Sequence, residues 1–107
     1  MDINQEELLA QSKSILSKNW ATVGDNGAGF TKPSTTLYPF QWNWDSGFIA
    51  YGYSHYNISR AIEELRSLFK GQWSNGMLPH IVFHGESRDY FPGPDGNCCG
   101  LIQTPQA

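Results

Sequence analysis

The chain has 107 residues, the length of one small domain, with a net charge of −3 and a pI near 5.4. Nucleic-acid binding is excluded as a main function, because neutralising phosphates needs clustered lysines and arginines and the seven here are scattered. The same scatter excludes membrane-surface binding, and no apolar run reaches membrane-spanning length. No basic segment followed by an apolar one opens the chain, so we predict no signal peptide and a cytoplasmic location.

The composition is rich in aromatic residues and poor in charge. Aromatic residues make up 14% of the chain and charged residues only 16%, below the roughly 25% of an average domain. Two interpretations stay open: an ordinary aromatic-rich core, or surfaces that more protein or a ligand covers. Cys98 and Cys99 are adjacent, which rarely suits a disulfide, and no third cysteine is present for a thiolate metal site. We therefore predict reduced thiols, no metal and no cofactor.

The first predicted helix covers residues 5–20, where apolar side chains recur at helical spacing. Asn4 is its predicted N-cap, and Glu6 in the first turn and Lys18 in the last suit the helix dipole. Glycines and prolines then break any regular period over residues 21–41. We predict one long loop there, and loops of that length are often functional.

Two further helices are predicted to form an αα-hairpin. The second begins at Asp45 or Ser46 and ends near His55, and the third covers residues 58–70 with Asn57 as its N-cap. Only a tight turn separates them, which is typical of two helices packed side by side. Beyond them, glycine, proline and asparagine predict loop apart from a short extended piece at 81–83. The predicted fold class is therefore all-α with long irregular loops.

The densest candidate site is the segment YPFQWNWDS, from Tyr38 to Ser46. It places four aromatic side chains within seven positions and ends in an acid at a predicted helix start. Aromatic faces pack against sugar rings, while carboxylates and amides hydrogen-bond the hydroxyls. The alternative is an aromatic cluster with Asp45 as an ordinary N-cap. The residue types leave both open, and one carboxylate can fill both roles.

Three later segments add weaker signals. GQWSNGMLPH presents His80 from a turn that Pro79 stiffens, although a single histidine is as readily structural. YFPGPD begins with Tyr90 in a rigid aromatic loop, and QTP begins with Gln103. The three histidines lack the spacing of a zinc site.

Read together, these segments carry a family resemblance. YPFQWNWDSGFIAYGY, RAIEELRSLFKGQWSNGMLPHIVF, a tyrosine loop and IQTP closely resemble the N-terminal part of mannosylglycerate and glucosylglycerate hydrolases. These enzymes belong to glycoside hydrolase family 63, with the processing α-glucosidases. The resemblance covers about residues 36–105, and WDS followed by NGMLPH is its most specific part. The tail, IQTPQA, departs from the family pattern, in which a second proline follows the first.

The resemblance implies a barrel of six αα-hairpins, the (α/α)6 barrel. Residues 1–107 would be its N-terminal portion, with about three helices, and the remainder of the barrel would be needed to complete the fold. A small carbohydrate would bind in a cleft at one end. The family's general acid and general base lie in later motifs, so no catalytic residue is expected in this chain. By motif, the sugar and aglycone contacts fall on Tyr38, Gln41, Trp42, Trp44, Asp45, His80, Tyr90 and Gln103.

The expected function is therefore that of part of an inverting α-glycosidase, inactive on its own. Its substrate would be a small α-glucoside or α-mannoside, such as glucosylglycerate or mannosylglycerate. The alternative is a non-catalytic carbohydrate-binding or scaffold module that uses the aromatic residues without chemistry. The two differ physically, because a binding module closes its own core and a portion of a barrel does not.

Overall fold

The computed structural model describes residues 2–22 and 29–84, and the backbone of residues 102–103. Three helices and five short strands occur in these residues. The three predicted helices are confirmed, but the strands mean that the chain is not all-α. In chain order the elements are α1 Gln5–Asn19, β1 Trp20–Thr22, β2 Gly29–Thr31, β3 Gln41–Trp42, α2 Asn43–Ser54, α3 Ile58–Phe69, β4 Ile81–Val82 and β5 Ile102–Gln103.

Helix α1 forms as its capping residues predict. The side chain of Asn4 accepts a hydrogen bond from the main-chain N–H of Glu7 at 3.1 Å, which satisfies one free donor of the first turn. No residue of α1 is buried, and Leu8 and Leu9 are 55% and 54% exposed. Among the described residues, the helix meets the core near its C-terminal end, where Leu16 packs against it.

A β-hairpin replaces the first part of the predicted long loop. Strands β1 and β2 pair antiparallel, with Ala21 opposite Phe30. Helix α3 holds β2 in place: Ser67 Oγ donates to Gly29 O at 2.6 Å, and Gly29 N–H donates to Glu63 at 2.6 Å. All three residues of β2 are buried. Because these partners lie far along the chain, the local glycines alone predicted a loop.

Helix α2 begins at Asn43, earlier than predicted, and its N-cap is Trp42 rather than Asp45. The side chain of Trp42 makes no capping hydrogen bond. A tertiary contact fixes the start instead: Asn43 N–H donates to His80 O at 2.9 Å, and Asn43 Nδ2 donates to Pro79 O at 3.0 Å. The interpretation of Asp45 as an ordinary N-cap is therefore wrong.

Helices α2 and α3 form the predicted hairpin around the turn at residues 55–57. Asn57 caps α3 by accepting from the N–H of Arg60 at 3.2 Å. Ala50 and Tyr53 of α2 and Ala61 of α3 are buried together, and the Tyr53 hydroxyl donates to Leu16 O at 3.0 Å. This cluster ties the hairpin to the end of α1.

A second small sheet supports the other core cluster. Strand β3 pairs antiparallel with β4, and β4 pairs parallel with β5. Phe40, Trp42, Ile81 and Phe83 are buried around this pairing. In the part of the chain described, no helix is both long and apolar enough to cross a membrane.

Candidate functional site

A pocket of about 400 Å³ lies where the start of α2 meets the loop that precedes β4. Pro33 contributes to one side of it. Five of the eight residues predicted from the sequence are among those that line it. These five are Tyr38, Trp42, Trp44, Asp45 and His80.

The pairing of β3 with β4 brings the two motifs together. Trp42 lies opposite Ile81 in the register, so His80 comes next to the start of α2. The hydrogen bonds from Asn43 to the carbonyls of Pro79 and His80 hold the two segments in contact. WDS and NGMLPH are thus adjacent in space although a helical hairpin separates them in the chain.

The aromatic side chains of the pocket differ in how firmly they are held. Trp42 is 7% exposed, and its ring meets that of Tyr38 edge to face at 5.4 Å and also contacts the Phe40 ring. Trp44 is 69% exposed and touches Phe48 one helical turn later. The pocket therefore combines a buried tryptophan ring with an exposed one, and aromatic rings of this kind suit the face of a sugar ring.

Asp45 is the acid at this pocket, in the first turn of α2. The N-terminal end of a helix favours negative charge there. Within residues 2–22 and 29–84, no hydrogen bond or ion pair engages its carboxylate. The carboxylate is thus available to accept hydrogen bonds from a ligand that enters the pocket.

Gln41 lies away from the pocket. Successive side chains of a strand point to opposite faces, so Gln41 points inward where Trp42 faces the pocket. It is fully buried: its Nε2 donates to Ser46 Oγ at 2.9 Å and to Glu64 O at 2.8 Å, and its Oε1 accepts from His84 Nε2 at 2.7 Å. The structure therefore gives Gln41 protein partners and does not bring it to the pocket.

The buried partners of Gln41 were not singled out from the sequence. Glu64 is fully buried, and it accepts from Ser46 Oγ at 2.7 Å and from Thr31 Oγ1 at 2.8 Å. A signal was present, because Glu64 lies at helical spacing between Ala61 and Leu68 on the buried face of α3. A glutamate on such a face requires hydrogen-bond partners.

Burial changes the protonation of both ends of this network. Burial raises the pKa of the Glu64 carboxyl to about 7, against hydrogen bonds from Ser46, Thr31 and Gln41 that lower it. Burial also lowers the pKa of His84 to about 4, and the positive charge of Lys70 acts in the same direction. His84 is therefore neutral near pH 7. Because the Gln41 Oε1 atom that faces His84 can only accept a hydrogen bond, the proton of the neutral His84 ring is assigned to the Nε2 atom of His84.

The other two predicted residues have side chains outside the described part of the chain. Tyr90 falls outside the described residues, as do Cys98 and Cys99. Gln103 is described by its backbone only, which lies beside Val82 in the parallel pair of β4 and β5. Among the described side chains, no group of three His, Cys, Asp or Glu residues is arranged to hold a metal ion.

Known proteins resemble both the sequence and this structure. Residues 38–106 match the family model of the mannosylglycerate hydrolase MGH1-like glycoside hydrolase domain. The chain is 47% identical to a mannosylglycerate hydrolase of Rubrobacter radiotolerans over 95% of its length and 21% of the relative. It is 44% identical to a glucosylglycerate hydrolase of Mycolicibacterium hassiacum over 66% of its length and 16% of the relative.

A solved structure agrees with these sequence matches. The family 63 mannosylglycerate hydrolase of Thermus thermophilus, in complex with Tris and D-glycerate, is similar with a TM-score of 0.69 at 52% identity. The similarity covers 82% of this chain and 20% of that one.

The family match is to a glycoside hydrolase domain and covers more than half of the chain. The chain belongs to this mannosylglycerate hydrolase MGH1-like family. The resemblance predicted from the motifs is thereby confirmed. The chain spans about a fifth of the length of the relatives it matches.

Proposed function

We propose that residues 1–107 are the N-terminal portion of an inverting α-glycosidase with an (α/α)6 barrel. Its substrate would be a small glycerate glycoside, mannosylglycerate or glucosylglycerate. One observation supports this above the others: five residues of the family motif line one pocket, at the junction of an αα-hairpin and the loop before β4. The remainder of the barrel would supply the catalytic groups and the other walls of the cleft.

In this proposal, the pocket binds the sugar ring. The buried Trp42 ring, with the exposed Tyr38 ring edge-on to it, forms the wall against which the C–H groups of the sugar ring pack. Asp45 accepts hydrogen bonds from sugar hydroxyls, and charge strengthens each such bond. His80, exposed on the facing loop, supplies a further polar group.

Catalysis needs two carboxyl groups about 6.5–9.5 Å apart in an inverting enzyme, one as acid and one as base. Asp45 is the one carboxylate among the described residues that line this pocket. We therefore assign Asp45 to binding, and the acid and base to parts of the protein beyond residue 107. The family resemblance implies the same assignment, because it places the general acid and general base in later motifs.

The glycerate group comes into the proposal from the relatives. Two of them are named for the hydrolysis of mannosylglycerate and glucosylglycerate, and the similar solved structure contains D-glycerate. Mannose and glucose differ in the orientation of the hydroxyl group at one carbon. Side chains of the complete cleft would distinguish the two sugars by hydrogen bonds to that hydroxyl.

The test is the reaction of a complete enzyme that carries this segment, with both glycerate glycosides as substrates. Proton NMR of the first-formed sugar reports its anomeric configuration. We expect release of glycerate together with a β-configured sugar. A product that keeps the α-configuration contradicts inversion, and absence of turnover on both glycosides contradicts the substrate class.

A further inference from the structure

Glu64 lies at the centre of a buried polar network that joins four elements. Its Oε1 accepts from Ser46 Oγ on α2 at 2.7 Å, and its Oε2 accepts from Thr31 Oγ1 on β2 at 2.8 Å. Gln41 Nε2 on β3 donates to the main-chain oxygen of Glu64 at 2.8 Å and approaches Oε1 at 3.4 Å. One side chain of α3 thus contacts α2, β2 and β3.

The two partners nearest the pocket bracket the pocket segment. Gln41 and Ser46 are also bonded to each other, Nε2 to Oγ at 2.9 Å. Between them in the chain lie three pocket residues, Trp42, Trp44 and Asp45. The segment 41–46 is therefore attached to Glu64 at both ends.

One chain of hydrogen bonds in the network runs from His84 to the carboxylate. His84 Nε2 donates to Gln41 Oε1 at 2.7 Å, Gln41 Nε2 donates to Ser46 Oγ, and Ser46 Oγ donates to Glu64. The side-chain neighbours of Glu64 are therefore donors. The ionised carboxylate, which predominates above about pH 7, accepts at both oxygens and fits this environment, whereas an amide places its own donor group against other donors.

A buried carboxylate is a costly way to stabilise a core, because desolvation offsets much of what its hydrogen bonds gain. A satisfied polar network does, however, select one arrangement among several packings of similar energy. Apolar contacts hold the Trp42 ring in the core, and the pairing with β4 and the hydrogen bonds of Asn43 hold the middle of the segment. The hydrogen bonds to Glu64 add a constraint on the side chains at its two ends, Gln41 and Ser46.

We propose that Glu64 is a positioning residue for the sugar pocket. It holds segment 41–46 so that Trp42 and Asp45 face the pocket, and it does not touch the substrate itself. Its effect on activity rests on the proposed glycosidase function, whereas its effect on the position of the segment does not.

Two variants and one control test this proposal in the complete enzyme. Glu64→Gln keeps the size of the side chain and exchanges one acceptor for a donor. Ser46→Ala removes the hydrogen bond to α2 and leaves α3 unaltered. Glu63→Gln is the control, because it makes the same substitution one residue away, and the amide oxygen can still accept from Gly29 N–H.

We expect Glu64→Gln and Ser46→Ala each to lower kcat/KM for the glycerate glycoside by about tenfold, mainly through a higher KM. Rates are measured well below the melting temperature of each variant, so that loss of folded protein does not contribute. The double variant should lose little more than the worse single variant, because both changes break one connection. Glu63→Gln should keep the activity of the unaltered enzyme.

Crystal structures of the variants give a readout that does not depend on activity. We expect the Trp42 ring and the Asp45 carboxylate to shift or to adopt two conformers in Glu64→Gln and in Ser46→Ala. Unchanged kcat/KM with a superimposable segment, even at a lowered melting temperature, overturns the positioning role. Losses that multiply in the double variant overturn it as well. If the unaltered enzyme hydrolyses neither glycoside, the proposed function fails, and the crystal structures still decide the role of Glu64.

Discussion

Asp45 and Glu64 are two acids close to the same short segment, and their surroundings give them different properties. Asp45 lies in the first turn of α2 and faces a pocket, without a partner among the described residues. Glu64 is fully buried with donors on both of its oxygens. The first is placed to accept hydrogen bonds from a ligand, and the second to hold the protein that surrounds the ligand.

The substitution Asp45→Asn distinguishes a role of this residue in sugar binding from a role in the stability of the fold. Because Trp42 and not Asp45 occupies the N-cap, the substitution removes only a helix-dipole interaction worth about 0.3–1 kcal/mol. If Asp45 binds sugar hydroxyls, asparagine exchanges an acceptor for a donor and removes the charge. We expect kcat/KM of the complete enzyme to fall by about tenfold to a hundredfold or more, at nearly unchanged thermal stability. Glu63→Gln serves as the charge control, and unchanged activity of Asp45→Asn contradicts the sugar-binding role.

The raised pKa of Glu64 predicts how the stability of the protein depends on pH. Its pKa is about 7 in the folded protein and returns to about 4.5 on unfolding. The folded state binds this proton more tightly, so the group's contribution to stability is present below pH 4.5 and is lost as the pH rises to about 7. Over the whole window the difference is roughly 3 kcal/mol. Glu64→Gln does not titrate, so its melting temperature relative to the unaltered protein should rise between pH 5 and pH 8.

His84 changes stability in the opposite direction over part of this range. Because burial lowers its pKa, its contribution is present above pH 6.5 and is lost as the pH falls toward 4. The effect is common to both proteins and cancels when Glu64→Gln is compared with the unaltered protein. A difference in melting temperature that is constant with pH contradicts the raised pKa of Glu64.

At the scale of elements, side chains of the helical hairpin pack against Trp20 of the β1–β2 hairpin. The Arg60 guanidinium lies 4.8 Å from the ring centroid of Trp20, and the Tyr53 ring meets Trp20 edge to face at 5.9 Å. Gly29 lies against the same indole, because a Cβ built there would overlap the Trp20 ring. The hairpin thus depends on a side chain being absent at this position.

Gly29→Ala should therefore destabilise the protein by about 1–3 kcal/mol, as expected when a packed site receives an extra carbon. Gly52→Ala is the matched control. It lies in α2 with nothing within 4 Å of an added Cβ, and alanine favours the helix by roughly 0.5–1 kcal/mol. Thermal denaturation of both variants in the complete enzyme measures the contrast. Equal effects of the two substitutions would show that Trp20 adjusts without cost.

At the scale of the whole molecule, apolar side chains are exposed on all three helices. On α2, Trp44, Phe48 and Tyr51 are 69%, 72% and 69% exposed. Helix α1 exposes Leu8 and Leu9. Exposed apolar surface of this kind is typical of an interface rather than of a finished domain. It supports the proposal of a barrel portion over that of a self-contained binding module, since the relatives are about five times longer.

The 107-residue chain alone should consequently be poorly packed or self-associating. Near-UV circular dichroism should show weak tertiary signals, and a hydrophobic dye should bind at room temperature. Light scattering reports the mass. A sharp cooperative melt of a monomer would instead favour the carbohydrate-binding module.

The same chain should be catalytically silent. A glycosidase needs two carboxyl groups held on either side of the bond that breaks. Among the described residues that line the pocket, Asp45 is the one with a carboxyl group. Release of sugar from aryl α-glucosides, aryl α-mannosides and the glycerate glycosides is the measurement. Turnover clearly above buffer by the purified chain would contradict the assignment of the acid and base to other parts of the protein.

Helices α1 and α3, the family and the motif residues were predictable from the sequence alone. Asparagine caps and helical spacing act over a few residues, so local sequence contains the information that forms these helices. The motif segments identified the family, and five of the site residues that they suggested line one pocket.

Other features were decided by the tertiary structure. Strands of two or three residues form because a distant segment pairs with them, and α2 begins at Asn43 because two carbonyls across the fold accept its hydrogen bonds. The inward orientation of the Gln41 side chain and the burial of Glu64 likewise depend on which elements pack together. Hydrogen bonds between residues far apart in the chain have no local signature, so the network behind the pocket became visible only in the folded protein.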